Sequence, residues 1–499
     1  MKILFVSPEG LPFSKTGGLA DVVEGLPKAL VEIGHEVAVV LPRYRGTKAK
    51  KVVLPSVAIP LGDQLRFPTI ADGTEVHGVR YFFVDDPAYF DREKLYGTES
   101  GDYPDNAERF AEFSRAAIEV ARRVWPPDVI HCHDWQSGLV PIILRTQHDA
   151  DPLASHIPVI LTVHNMGYHG LFPREILRRL SLPDALFHLE ALEFYGKVNY
   201  LKGGLIFSDY LTTVSRKYAQ EIQTPEYGHG LDGVMRARSN RLVGILNGVD
   251  YSAWSPETDK LLAANYSSKD LTGKQACKKD LLERFGLPAE KLDLPVIGIV
   301  SRFAAQKGFD LIAEVAEGLL AENVLIVALG TGDAEYESLF RNLAARFPGK
   351  FAARIAYDNT LAHKIEGGAD MFLMPSRYEP CGLNQIYSLA YGTVPVVRAT
   401  GGLDDTIEPF EPKAGKGTGF RFQAYEGRAL LACIRQALRT FKDQKAWRKV
   451  MLNGMGKDFS WKTSAAEYAK LYETARKARS AAAKSPLAAE SGRAAGSSK

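Results

Sequence analysis

The chain opens on a short apolar run, KILFVS (2–7), broken by Pro8-Glu9, and a polar loop, PEGLPFSKTGG (8–18), follows it. Leu19, Val22, Val23, Leu26, Leu30 and Val31 then recur at helical spacing as far as Gly34, and EVAVVLP (36–42) resumes as an apolar run. Strand, loop, helix and strand in that order predict a βα unit with a parallel pair. Its first loop lies at the carboxyl end of the first strand, the edge where open α/β sheets bind ligands. VRYFFVD (79–85), PDVIHCH (127–133), IPVILTVHN (157–165) and YLTTVS (210–215) read as further strands, and NAERFAEFSRAAIEVARRV (106–124) reads as a helix between two of them. Around NGVDYSAWSP (247–256) the rhythm gives way to turn-forming residues. A second series then begins: LPVIGIVSR (294–302), NVLIVALG (323–330), FAARIAY (351–357), MFLMPS (371–376) and TVPVVRAT (393–400).

Two such series predict two Rossmann-like α/β domains, and 499 residues is about three times the usual ~150 per domain. The expected division is an N-terminal domain over 1–250, a second over 251–459, and a helix over 460–477 returning to the first. A disordered tail over 478–499 is expected from its Ala, Ser, Gly and Lys, which offer almost nothing large to bury. Hydrophobic residues make up 45% and charged residues 24%, which excludes a mainly disordered or membrane-embedded chain. The opening run is too short for a secretory signal. Net charge is +3, of which residues 477–499 hold +4, so the body has no bulk electrostatic reason to bind nucleic acid or an anionic membrane. The four cysteines stand far apart, which predicts free thiols and a cytoplasmic location.

Candidate chemistry gathers on the strand-end loops. Lys15-Thr16-Gly17-Gly18 precedes a helix, where backbone N–H groups and paired glycines suit a phosphate; a Gly-Gly turn with a solvated lysine is the alternative. Arg302 and Lys307, in SRFAAQKG, suit a diphosphate as a fork and a point charge, or are two solvated surface charges. Glu379 and Cys381 follow MFLMPS, with Gly382 opening an apparent helix, and ATGGLDD (399–405) adds two glycines after the next strand. His131 and His133 have a spacing that zinc can use, but no third ligand accompanies them, so polar residues beside a ligand are the stronger reading. His164 and Asn165 follow the next strand in the same way. ALGTGDAEYE (328–337) starts like a dinucleotide fingerprint but has Glu335 at the third glycine and Asp333 beside it, which argues against a nicotinamide site.

Taken in order, KTGGLADVV, HDWQSGL, HNMGYHG, NGVD, SRFAAQKG and SRYEPCGLNQ resemble the bacterial glycogen (starch) synthases over residues 1–476. The resemblance implies a GT-B fold, two Rossmann-like domains facing a central cleft. It also implies retaining transfer of glucose from ADP-glucose to the 4-hydroxyl at the non-reducing end of an α-1,4-glucan. Neither metal nor cofactor is implied. Catalytic roles are expected for Glu379, His164, Arg302 and Lys307. Substrate contacts are expected for Lys15, Gly17, Gly18, Asp21, Asp134, Asn165, Asn247, Cys381, Gly382 and Leu383, with Tyr357 stacking near adenine. The broader retaining pattern has a second Glu eight positions after the first. Here that position is Tyr387, which favours this branch over mannosyl- or sucrose-forming relatives. No residue stands out as a carboxylate nucleophile, so front-face attack assisted by the departing phosphate is the expected route. A related transferase with another donor or acceptor, and a catalytically silent glucan-binding protein, remain as alternatives.

Overall fold

The computed structural model describes residues 1–148, 151 and 156–483. The chain divides into two compact units. The first comprises Met1–Val214, Ala219–Gly248 and the chain from Trp461; the second comprises Ser215–Tyr218 and Val249–Ser460. Residues 215–218, expected in the first domain, cluster with the second because Ser215 Oγ donates to the Pro380 carbonyl (2.7 Å) and the Lys217 amide donates to Asp405 (3.0 Å).

The first unit is built on a nine-stranded sheet. Its strands are β1 (Lys2–Val6), β2 (Glu36–Pro42), β3 (Lys51–Leu54), β4 (Thr69–Asp72), β5 (Arg80–Asp85), β6 (Val129–His133), β7 (Val159–Val163), β8 (Tyr210–Thr213) and β9 (Leu242–Gly244), in the order β9-β8-β7-β6-β1-β2-β5-β4-β3. All pairings are parallel except those of β4 with β3 and β5. The inner strands are largely apolar and almost wholly buried because the sheet covers both faces. The six-stranded sheet of the second unit is entirely parallel: β10 (Val296–Val300), β11 (Leu325–Gly330), β12 (Phe351–Ile355), β13 (Met371–Met374), β14 (Val394–Arg398) and β15 (Phe420–Phe422), in the order β12-β11-β10-β13-β14-β15.

Each sheet has one place where the chain changes direction of travel. In the first unit the strands run from β1 outward through β2 to β5, and later return to the other flank of β1 as β6. In the second, β10 leads to β11 and β12 before the chain returns to β10's other flank as β13. Loops that leave the two strands at such a point diverge and open a crevice at their carboxyl ends.

Helix α1 (Gly18–Glu32) covers one face of the first sheet, and α2 (Asn384–Ala390) follows β13 in the second unit. The last helix, α3 (Trp461–Ala483), packs Trp461, Ala465, Tyr468 and Tyr472 into the core of the first unit beside Ile3, Phe5 and Leu26. The expected tail start at 478 is therefore too early. The alanine-rich stretch adds cheaply to an existing helix, since propagation costs little once the first turns are formed. Residues 484–499 lie outside the described residues.

Trp461 occupies space that only glycine leaves open. A Cβ on Gly25 would lie 2.0 Å from the indole Nε1, and one on Gly248 would lie 2.5 Å from the Trp461 backbone nitrogen. Gly25→Ala gains about 1 kcal/mol of helix propensity but overpacks the core, at a cost of roughly 1–3 kcal/mol or more. We expect its denaturation midpoint to fall below wild type. In a Trp461→Ala background the same change meets empty space and should be neutral or stabilising; equal costs in both backgrounds would refute this packing.

Candidate active site

At the switch point of the first unit, β1 is followed by residues 7–17, β6 by Asp134, and neighbouring β7 by His164 and Asn165. Parallel pairing places all three strand ends on one edge. Within the first loop, the buried Glu9 carboxylate accepts from the Thr16 amide (2.6 Å), the Thr16 hydroxyl (2.7 Å) and the Gly17 amide. Burial pushes this carboxyl above its ordinary range, the Thr16 and Gly17 bonds pull it down, and Asp21 raises it further. Glu9 went unnoticed in the sequence because only the folded loop brings it to amides seven residues away. Two of the amides expected to cradle a phosphate are thus committed to the chain's own carboxylate.

Other parts of the loop remain open to a ligand. Lys15 Nζ meets Asp21 Oδ1 at 2.7 Å, with both side chains partly exposed, a pairing worth at most about 1 kcal/mol that a stronger anion can replace. Gly17 is extended (φ −152°), and a Cβ on Gly17 or Gly18 would meet nothing within 4 Å. Neither backbone conformation nor the chain's own packing asks for glycine there, which is what close approach by something outside the chain would require.

Asp134 has φ 56° and ψ −172°, a region that side-chain-bearing residues rarely occupy, and such strain gathers at functional sites. Its Oδ1 accepts the His164 amide at 2.7 Å, and its carboxylate also accepts the Asn165 amide. Burial raises its pKa to about 7, opposed by those two amides and assisted by the charge of Glu9. Asn165 Oδ1 accepts from Gly167 (2.9 Å). Asn247 is buried, and its Oδ1 has no partner among the described residues. His131 bonds Tyr472 Oη (2.8 Å) and Thr162 Oγ1 (2.6 Å), so both its nitrogens are already engaged, whereas His133 Nδ1 meets His164 Nε2 at 3.0 Å.

The switch point of the second unit brings β10 beside β13. Gly308 (φ 75°) lies so close to Pro375 that a Cβ would sit 2.0 Å from its carbonyl oxygen. That approach places Lys307 Nζ on Glu379 Oε2 at 2.6 Å, with Ser376 Oγ at 3.2 Å from the same oxygen. The pair is largely desolvated: side-chain exposure is 20% for Lys307 and 7% for Glu379. Gly401 and Gly402 buttress it from behind, where a Cβ would lie 1.9 Å from the carbonyl oxygens of Glu379 and Cys381 respectively. Arg302 is exposed, with a long contact to Gln306 (3.5 Å) as its one side-chain hydrogen bond among the described residues.

Cys381 is buried, and Gly382 (φ 71°) precedes α2 by two residues instead of opening it; Leu383 takes the N-cap position. The Leu383 side chain packs against the cluster of Val249, Ile386 and Tyr387, and its carbonyl accepts the Ile386 and Tyr387 amides (2.9 and 3.0 Å), which leaves its own N–H for any ligand. Tyr357 is 85% exposed, free to stack on a planar group. The fingerprint-like glycines serve packing: a Cβ on Gly330 or Gly332 would lie 1.9 or 2.1 Å from the carbonyl oxygens of Ser301 and Phe303.

Two Rossmann-type units with these strand-end loops define a GT-B glycosyltransferase. A family model described as "Starch synthase catalytic domain" matches residues 2–237, and one described as "Glycosyl transferases group 1" matches residues 285–450. With 59% identity over 481 residues to the glycogen synthase of Koribacter versatilis, across 96% of this chain and 99% of that protein, the chain belongs to the glycogen synthase family. The glycogen synthase of Anaeromyxobacter dehalogenans (strain 2CP-1) is 49% identical, across 95% of this chain and 99% of the relative. Among solved structures, the catalytic domain of starch synthase IV from Arabidopsis thaliana, bound to ADP and acarbose, matches with a TM-score of 0.86 at 32% identity, covering 95% of this chain and 99% of that one. Sucrose-phosphate synthase from Thermosynechococcus elongatus, at 19% identity and a TM-score of 0.59, shares the fold.

The Asp134 carboxyl has a folded-state pKa raised above the unfolded value of about 4. The folded protein therefore holds a proton that the unfolded chain releases, and stability attributable to this group falls as pH rises from about 4 to about 7. Asp134→Asn does not titrate and should keep accepting the two amides. We expect its stability relative to wild type to climb across that window, by at most roughly 1.4 kcal/mol per pH unit, and to level off above it. A pH-independent difference in urea midpoint would contradict this assignment.

Proposed function

We propose that this glycosyltransferase moves glucose from ADP-glucose to the 4-hydroxyl at the non-reducing end of an α-1,4-glucan, retaining the anomeric configuration. Family membership supports the reaction, and the relative from Arabidopsis thaliana is bound to ADP and acarbose. The observation that carries the reading furthest is the Lys307–Glu379 pair at a strand switch point, with the exposed Arg302 guanidinium on the same loop. Arg302 and Lys307 meet the diphosphate, and Lys15 adds a further positive charge for it. Glu379 and the Cys381–Gly382 backbone hold glucose hydroxyls. His164, oriented by Asp134 through its own amide, lies beside the transferred sugar. Asn165, Asn247 and Asp21 contribute polar groups along the substrate path, and Tyr357 stacks on the adenine.

In the transfer, the bond between the anomeric carbon and the β-phosphate oxygen breaks as the acceptor O4 approaches the same face. The departing phosphate oxygen takes the acceptor's proton. The chain's part is to position both substrates and to meet the charge developing on ADP and at the anomeric carbon. The charge is supplied by side chains, without metal or cofactor, and the reaction takes place in the cytoplasm. All four cysteines are buried free thiols, which suits a reducing compartment. Among the described residues no helix is long and apolar enough to cross a membrane.

Arg302 reports on catalysis more cleanly than Lys307 does. Arg302→Ala removes an exposed side chain, so stability should change by less than about 0.5 kcal/mol. Loss of a charge-assisted contact worth roughly 1.5–3 kcal/mol should lower kcat/KM about 10- to 150-fold. Lys307→Ala would also strand a buried carboxylate, costing roughly 3–5 kcal/mol of stability. Incubation with glycogen and either ADP-glucose or UDP-glucose, with and without chelator, tests the reading as a whole. We expect glucose incorporation from ADP-glucose that chelator leaves intact; activity abolished by chelator and restored by magnesium would overturn the metal-free clamp.

Glu379→Gln keeps a hydrogen-bond acceptor for Lys307 but no charge. If Glu379 acts on the sugar as positive charge develops at the anomeric carbon, kcat should fall far more than donor KM rises. Near-normal turnover in the folded variant would remove Glu379 from the chemistry.

A further inference from the structure

Three imidazoles lie in sequence behind the sugar side of the first unit. His131 and His133 are fully buried, with ring centroids 4.3 Å apart, and His133 stacks on Phe5 at 5.4 Å. His164 is half-buried at the end of β7. Only one hydrogen bond links the last two rings, between His133 Nδ1 and His164 Nε2 at 3.0 Å. His133 Nε2 is buried without a partner among the described residues.

Burial keeps both rings neutral, holding His164 down at about 3 and His133 well below its ordinary value, with neighbouring imidazoles pushing His133 the same way. A neutral imidazole bears one N–H and one bare nitrogen, so the shared bond has two possible directions. If His164 Nε2–H donated, His133 would carry its own proton on Nε2, a buried N–H with nothing to accept it. If His133 Nδ1–H donates, its Nε2 is a bare buried nitrogen without a partner among the described residues. Orphaned buried N–H groups are the rarer and costlier of the two. The second arrangement leaves His164 with its proton on Nδ1, the nitrogen turned away from His133.

We infer that His133 is a positioning residue: its Nδ1–H locks His164 in the Nδ1–H tautomer, so that His164 presents a fixed N–H donor to an oxygen of the bound sugar. The inference rests on the proposed place of His164 beside the transferred glucose. It gives that residue a definite chemistry, hydrogen-bond donation without proton transfer. A donor of fixed direction can hold a hydroxyl oxygen in one orientation through the transfer, which a ring free to exchange tautomers cannot do.

The test uses full-length protein labelled with ¹⁵N-histidine, with His164 signals identified by their loss in His164→Asn. In wild type the His164 signals should be those of an Nδ1-protonated ring. In His133→Leu, where no donor faces Nε2, they should shift towards the Nε2-protonated form, and kcat should fall about 10- to 100-fold with donor KM nearly unchanged. His133→Asn places an amide N–H near the position of Nδ1, and should restore both the tautomer and most of kcat. Wild-type His164 protonated on Nε2 would overturn the inference whether or not any variant folds. So would a folded His133→Leu enzyme with the wild-type tautomer or wild-type kcat. If the tautomer is as inferred but His164→Ala retains full activity, the lock stands and the place of His164 at the sugar falls.

Discussion

A parallel sheet can grow only by crossovers, and crossovers in one hand let the chain proceed along one flank of its first strand and then return along the other. The chain makes that reversal twice, once beside β1 and once beside β10, and its chemistry follows from the two reversals. Loops leaving adjacent strands at a reversal turn apart, so polar and charged groups there face a crevice and need no partner in the core. Lys307 and Glu379 lie 72 positions apart in sequence and meet because their loops leave the two strands of one reversal. Asp134 and the Glu9 loop meet at the other for the same reason.

Both crevices carry electrostatic costs that folding alone would not select. Asp134 is held in a strained backbone with its carboxyl raised by burial, Glu9 is raised beside it, and Lys307 and Glu379 form a desolvated pair. A buried ion pair is weak evidence of stability, because desolvation offsets most of the Coulombic gain. Groups of this kind are expected where a reaction needs fixed charge in a dry setting. The surrounding frame absorbs the cost: Gly308, Gly401 and Gly402 bring backbone against backbone, and Trp461 closes the first core against Gly25.

The parts legible in the sequence are those governed by periodicity. The apolar bursts and the spacing of Leu19 to Val31 reproduce β1, α1 and β2 within a residue or two, because buried parallel strands and amphipathic helices leave strong local patterns. The edge strand β3 and its neighbour β4 left no such pattern, being only four residues long. Glu9 was illegible for a different reason: a carboxylate that caps its own loop looks like any surface acid until the loop closes. Gly330 and Gly332 were legible as glycines but not as packing glycines, since the backbone they touch belongs to another strand's loop. The end of α3 was misread because composition alone cannot distinguish a disordered alanine-rich tail from one that continues a docked helix.

Position 387 joins these threads. The broader retaining pattern has a carboxylate there, and this chain has Tyr387, which is buried with its ring stacked on Trp254 at 4.0 Å and an interplanar angle of 5°. The opposite face of Trp254 stacks on His363 at 3.7 Å, and His363 Nδ1 meets Asp259 at 2.8 Å. A carboxylate in place of this phenol ring would give up aromatic contact and bring its charge against an indole face, where desolvation is uncompensated. Tyrosine at 387 is thus a packing commitment of the second unit as well as a departure in its chemistry. Under the proposed donor, the nucleotide must then be recognised without that carboxylate. Of the residues proposed above, the cationic Arg302–Lys307 loop would then meet phosphate and the exposed Tyr357 ring a planar base. That division of labour asks little of the ribose.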